Sequence, residues 1–196
     1  MTNWSFLCLK QEMTQMLLDD KMEAVTLLKF LDDQEVVRIK TQENDGYNAV
    51  VIWAGKKEKN WKTTYKYIKE FKVDNIDWYK VWDKLSMNDN IGTVTIKSIT
   101  KWKGFQWVVK RYWFEWWRAT HGSKFHREPW GMGNRKPRRV NKNHPLPWHM
   151  WSENITVKNV NVVATYPLSD SDNILVVKWS VPGSRNSLIR VYKVNL

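Results

Sequence analysis

Apolar positions along this chain come in short runs, mostly β-branched or aromatic, cut by turn residues. Eight runs predict strands: EAVTLLKFL (23–31), EVVRIKT (35–41), YNAVVIW (47–53), GTVTIKSIT (92–100), FQWVVKRYWF (105–114), ITVKNVNVVATY (155–166), NILVVKW (173–179) and LIRVYKV (188–194). Between them lie DD, NDG, SDSDN and PGSRNS, residues that reach positive φ or bond their own backbone. KTTYKYIKEF (62–71) reads as a short helix. Short strands at this spacing predict a mainly β fold, closed as a barrel or packed as a sandwich. No strand–helix alternation points to a doubly wound sheet.

Residues 115–151 break the pattern. Their apolar periodicity is weak, Gly and Pro interrupt them, and they hold all four histidines. A stretch this long without elements of its own is usually functional or disordered. The expected organisation is a β domain built from residues 1–100 and 152–196, with a basic extension at 101–151 between its two halves. No internal repeat is visible.

Charge sharpens that division. The net charge of the 196 residues is +12. Residues 97–151 contain 13 Lys and Arg against Glu115 and Glu128, a net +11, while the remainder holds 19 against 18, a net +1. A block of one sign repels itself unless a polyanion neutralises it, whereas a merely solvated face mixes both signs. Nucleic acid is the expected partner.

Other classes find little support. Cys8 is the single cysteine, so neither an internal disulfide nor a Cys-based zinc cluster is expected, and a reducing compartment is favoured. No apolar run is long enough to span a bilayer, and MTNWSFLCLKQEMTQ shows no basic n-region or small-residue cleavage site, so no signal peptide is expected. His121, His126, His144 and His149 have no Asp or Cys near them in the extension, where a zinc site needs three or four convergent ligands with acceptors behind them. Ser123 beside His121 lacks a carboxylate to orient the imidazole. GMGNRK (131–136) lacks the strand–turn–helix setting of a phosphate loop. No enzyme, metal or cofactor is expected.

RNA binding fits these residues better. Lys101, Lys103, Lys110, Arg111, Arg118, Lys124, Arg127, Arg135, Lys136, Arg138, Arg139 and Lys142 are candidate phosphate contacts. The four histidines are candidates for polar or stacking contacts with unpaired bases. The alternative is a free single-strand binder that stacks bases on the extension's many tryptophans. A membrane-active basic protein would need an amphipathic helix, which the Gly- and Pro-broken extension does not offer.

Three segments carry a resemblance. KGFQWVVKRYWF, RATHGSKFHREPWGMG and PLPWHMWSENITVKNVNVV resemble the signature region of the bacterial large-subunit ribosomal protein three family. EMTQMLLDD is similar to that family's Met-Thr-Gln opening, IKTQENDGYNAVVIWAG to its early strand pair, and ILVVKWSVPGSRNSLIRV to its end. The resemblance covers nearly the whole chain. It implies a translation-protein β-barrel with a long irregular extension, located in the cytoplasm as part of the ribosome. The barrel would lie at the large-subunit surface. The extension would thread large-subunit rRNA toward the peptidyl-transferase centre. The role implied is structural, with a part in early assembly and contacts to neighbouring ribosomal proteins. Many bacterial relatives carry a methylated glutamine at the position of His149, and histidine cannot carry that modification.

A second departure concerns tryptophan, of which there are 14 beside only 8 glycines. The family pattern has glycine where this chain has Trp102, Trp107, Trp116, Trp117, Trp130, Trp148, Trp151 and Trp179, and Trp82 and Trp113 fall at glycine positions as well. Drift would not replace one residue type so selectively with a single product. A coding difference would, because UGA is one base from the glycine codon GGA and is read as glycine in some bacterial lineages and as tryptophan in another code. The resemblance therefore implies recoded glycines at these ten positions. Bulky side chains forced into glycine-type backbone cost about 1–3 kcal/mol each, so ten would rival a typical total stability of about 5–15 kcal/mol. Misread glycines should be exposed or loosely packed, some at positive φ, with Trp179 the most discriminating. Trp4, Trp53, Trp61 and Trp78 are not assigned.

Overall fold

A computed structural model describes residues 5–59, 62–73, 75–86, 92–122, 126–129, 131–133, 139–169 and 172–193. The strands are β1 (Ser5–Leu18), β2 (Lys21–Phe30), β3 (Glu35–Lys40), β4 (Ala49–Lys59), β5 (Lys62–Lys72), β6 (Thr93–Ile99), β7 (Phe105–Gln106), β8 (Trp148–His149), β9 (Asn154–Ser169), β10 (Asp172–Lys178) and β11 (Leu188–Lys193). Two short helices, α1 (Gln42–Asp45) and α2 (Val108–Tyr112), interrupt them. The fold is mainly β, as the hydrophobic pattern predicts. The chain divides into two compact units, one of Met1–Thr100 with Asn154–Leu196 and one of Lys101–Glu153.

In the first unit a closed barrel runs β1-β11-β6-β9-β10-β2, and β3-β4-β5 form a separate three-stranded sheet. The period of two along β1 explains why one strand serves both. Phe6 and Cys8 point into the barrel core with Leu28, Phe30, Ile96, Leu175 and Ile189. Leu7, between them, enters a second core with Val36, Val50, Ile52 and Phe71. Gln34 closes the seam: fully buried, its Nε2 donates to the Leu7 carbonyl at 2.9 Å and its Oε1 accepts from the Leu7 N–H at 2.6 Å. A buried side-chain amide thus completes the hydrogen bonding of Leu7, whose carbonyl also accepts from the Leu31 N–H at 3.4 Å.

Two expectations are corrected, and one strand is added. Residues 62–71 are strand, not helix: β5 pairs antiparallel with β4 from Ala49↔Lys72 to Lys59↔Lys62, and Tyr67 and Phe71 meet the second core. Residues 105–114 are not one strand. Two residues of β7 precede α2, whose Val108 and Val109 are buried; β propensity yields there to packing. β1, which no run announced, is a 14-residue strand. Residues 5–8 are buried in succession because two cores draw on them, and Glu12 to Gln15 are exposed in succession, so no inside–outside pattern of two marks the strand.

Candidate nucleic-acid interface

Among the described residues of the second unit, regular pairing is confined to one short ladder. β7 pairs with β8 through Phe105↔His149 and Gln106↔Trp148. The ladder is extended by Met150 N–H donating to Gly104 O at 2.9 Å and Lys103 N–H to Met150 O at 3.1 Å. Arg111 Nη1 donates to Leu146 O at 2.6 Å, which ties α2 to the chain leading into β8. Beyond these, the described residues between 113 and 147 lie outside helix and strand. With so little helix or strand among its described residues, the segment has backbone and side chains to offer a partner.

Its described cations lie largely at the surface. Lys101, Lys103, Lys110, Arg118, Arg127, Arg139 and Lys142 are exposed, and Arg111 is half-buried. Among the described residues none of these eight forms an ion pair. Lys103 lies 3.6 Å from the centroid of Trp151, and Arg127 lies 4.5 Å from that of Trp116. His121 and His149 are exposed, and His126 and His144 are half-buried. His126 Nδ1 and His144 Nε2 are screened from solvent with no hydrogen-bond partner, a cost that an added donor or acceptor would relieve. Lys124, Arg135, Lys136 and Arg138 lie outside the described residues, as does Trp130. No group of three or more His, Cys, Asp or Glu among the described residues is placed to hold a metal.

Aromatic side chains that charge alone did not single out join this set. Phe105 is 52% exposed, with its ring edge-on to His149 at 6.4 Å and to Trp107 at 6.2 Å. Tyr112 is exposed beside Arg111, whose guanidinium lies 4.9 Å from its ring centroid. The signal for both was the interleaving of aromatic and basic residues in FQWVVKRYWF.

The tryptophans have an unusual backbone. Ten described non-glycine residues have positive φ, and six are Asp, Asn or Ser. Short polar side chains of the Asp and Asn kind tolerate that region. The other four are Trp82 (+70°), Trp113 (+60°), Trp151 (+67°) and Trp179 (+72°), where a bulky residue is an outlier. Trp113 ends α2 in the left-handed conformation, the position after a helix where glycine is most favoured. All nine described members of the set are exposed: Trp82, Trp102, Trp107, Trp113, Trp116, Trp117, Trp148, Trp151 and Trp179. Trp53 carries neither mark. It is half-buried, stacked on Tyr65 at 3.5 Å, and donates its indole N–H to Glu35 at 3.3 Å.

No family model matches the chain. Curated relatives do. It is 34% identical to the large ribosomal subunit protein uL3 of Geotalea daltonii, over 90% of each chain. It is 33% identical to that of Oceanobacillus iheyensis over 91% of each, and 37% identical to that of Carboxydothermus hydrogenoformans over 79% of each. A closed β-barrel and a basic second unit with little helix or strand among its described residues define the class of architecture. These relatives define the family, and the chain belongs to the uL3 family of large-ribosomal-subunit proteins.

Proposed function

We propose that this protein is a structural constituent of the large ribosomal subunit and binds large-subunit rRNA chiefly through residues 101–151. The observation that carries this reading is the set of eight described cations in that segment, none ion-paired within the chain, in a member of the uL3 family. Phosphates are the natural counter-charge, and Arg and Lys contacts to them position without reading sequence. Phe105 and His149 offer ring faces for unpaired bases. In the subunit the extension runs toward the peptidyl-transferase centre and supports early assembly, and the barrel meets neighbouring ribosomal proteins. Catalysis stays with the RNA. The test is binding of the full chain and of a chain lacking 115–151 to transcribed large-subunit rRNA across a salt series. The deletion should leave a folded barrel with weak residual affinity; equal affinity would refute the assignment.

The same reading takes Trp82, Trp102, Trp107, Trp113, Trp116, Trp117, Trp130, Trp148, Trp151 and Trp179 as glycines in the cellular protein. Supporting it are the four positive φ angles and the exposure of every described member of the set. A selected core tryptophan buries its ring and satisfies its N–H. A free single-strand binder would need exposed indoles, but would gain nothing by placing them on left-handed backbone.

A further inference from the structure

Lysines also concentrate outside the extension. Residues 49–72, which span β4 and β5, hold 7 lysines against Glu58 and Glu70, a net +5. The rest of the chain outside 97–151 holds 12 Lys and Arg against 16 Asp and Glu, a net −4. The near-neutral balance of the flanks therefore conceals a basic ribbon set among acidic surroundings.

The geometry of the ribbon is well defined. Val50, Ile52, Ala54 and Phe71 bury one face in the second core. Pairing of β3 with β4 stops at Glu35↔Trp53, while β4 and β5 continue together through Lys56↔Tyr65 and Lys57↔Thr64. At the step between, Gly55 has φ +74°, and a β-carbon there would sit 3.0 Å from Lys66 Cβ. The positive φ favours glycine there, and a β-carbon would crowd β5. Lys57, Lys66, Lys69 and Lys72 are exposed, and none of the four forms an ion pair among the described residues. Lys66 and Lys72 instead lie over the rings of Tyr67 and Tyr47, at 5.0 and 5.4 Å. The Trp53–Tyr65 stack lies alongside.

Lysines on an edge strand also deter pairing with other chains. That role calls for one or two on each edge, including Lys57 where β4 extends past β3. It does not account for three exposed lysines on β5 or for the stacked rings. From Lys66 to Lys72 the strand runs about 20 Å, a length over which a duplex presents roughly a dozen phosphate charges. Cations spread over that distance and interleaved with aromatic faces suit a nucleic-acid backbone better than a single carboxylate.

We propose that the β4–β5 ribbon is a second RNA-contact surface, which holds a phosphate backbone through Lys57, Lys66, Lys69 and Lys72 independently of the basic extension. The proposal rests on the reading that the chain works bound to large-subunit rRNA. The experiment compares the full-length chain with a variant carrying Lys57→Gln, Lys66→Gln, Lys69→Gln and Lys72→Gln, both titrated with transcribed large-subunit rRNA over a salt series. Circular dichroism checks the fold. The slope of log affinity against log salt should fall by about 3, near 0.7–0.9 for each phosphate no longer neutralised. In parallel, lysine acetylation of the unaltered chain is read by mass spectrometry with rRNA, with polyglutamate or with anionic vesicles. The four lysines should lose most of their reactivity with rRNA alone, and this arm decides if the variant does not fold. An unchanged slope in a folded variant, or protection by polyglutamate or vesicles but not rRNA, overturns the proposal while leaving rRNA binding by the unaltered chain intact. Failure of the unaltered chain to bind rRNA at all refutes the broader function and this surface with it.

Discussion

Thr26 Oγ1 donates a hydrogen bond to the carbonyl of Trp179 at 2.6 Å, and the Trp179 N–H donates to Ala24 O at 2.8 Å. β2 thus fixes the backbone of residue 179 at both ends, just where β10 stops and φ turns to +72°. The side chain, 68% exposed, gains little in return for the strain. Trp179→Gly should therefore raise the stability of the isolated barrel by about 1 kcal/mol in chemical denaturation. Trp179→Ala, which keeps a β-carbon at positive φ, should recover much less. A glycine variant less stable than the parent would mean that the indole contributes packing.

Lys10 should behave as a structural cation. It is buried, and its Nζ donates to the carbonyls of Val181 and Gly183, which shapes the turn before β11. Gly183 has no room for a side chain there, since a β-carbon would meet Ser187 Oγ at 2.5 Å. Lys10→Met leaves two carbonyls without their donor and should cost about 1–3 kcal/mol. The check is the denaturation midpoint, at an unchanged dependence on denaturant.

Cys8 should be inert in the native protein. It is buried in the barrel core, where desolvation, helped by the charge of Asp32, pushes its thiol well above the ordinary range. The thiolate is the reactive species. Alkylation followed by mass spectrometry should leave Cys8 unlabelled under native conditions at pH 8 and label it fully in denaturant. Rapid native labelling would show that the barrel opens locally.

Removing charge from the extension should weaken rRNA binding without touching the fold. Arg118, Arg127, Arg139 and Lys142 are exposed and without ion pairs among the described residues. Replacing all four with Ala should reduce the salt slope by about 3 and leave the thermal midpoint of the barrel in place. A lowered midpoint with an unchanged slope would assign these residues to stability instead.

The mainly β character was legible because β2, β6, β9, β10 and β11 are bounded β-branched runs; the runs left barrel and sandwich open, and strand pairing decides between them. The β5 segment was misread because Lys and Tyr at 62–71 suit either period, and pairing with β4 decides between them. α2 was misread because Val108 and Val109 favour strands, while Lys110 and Arg111 both return hydrogen bonds to Trp107 O. The extension was legible both from the loss of strand pattern at 115–151 and from its charge. The ribbon of β4 and β5 was not, because the acidic residues that cancel its lysines in a whole-chain sum lie elsewhere in the fold. The positive φ at 82, 113, 151 and 179 could not be read from the residues, since tryptophan at those positions gives no turn signal of its own.

The most direct test is peptide mass spectrometry of salt-washed large ribosomal subunits from cells that express this gene. Peptides of this chain should be present in the subunit, with those covering residues 102–151 carrying glycine at Trp102, Trp107, Trp113, Trp116, Trp117, Trp130, Trp148 and Trp151. Absence of the chain from the subunit would contradict the ribosomal function. Indole-containing peptides across the same segment would contradict the recoded glycines.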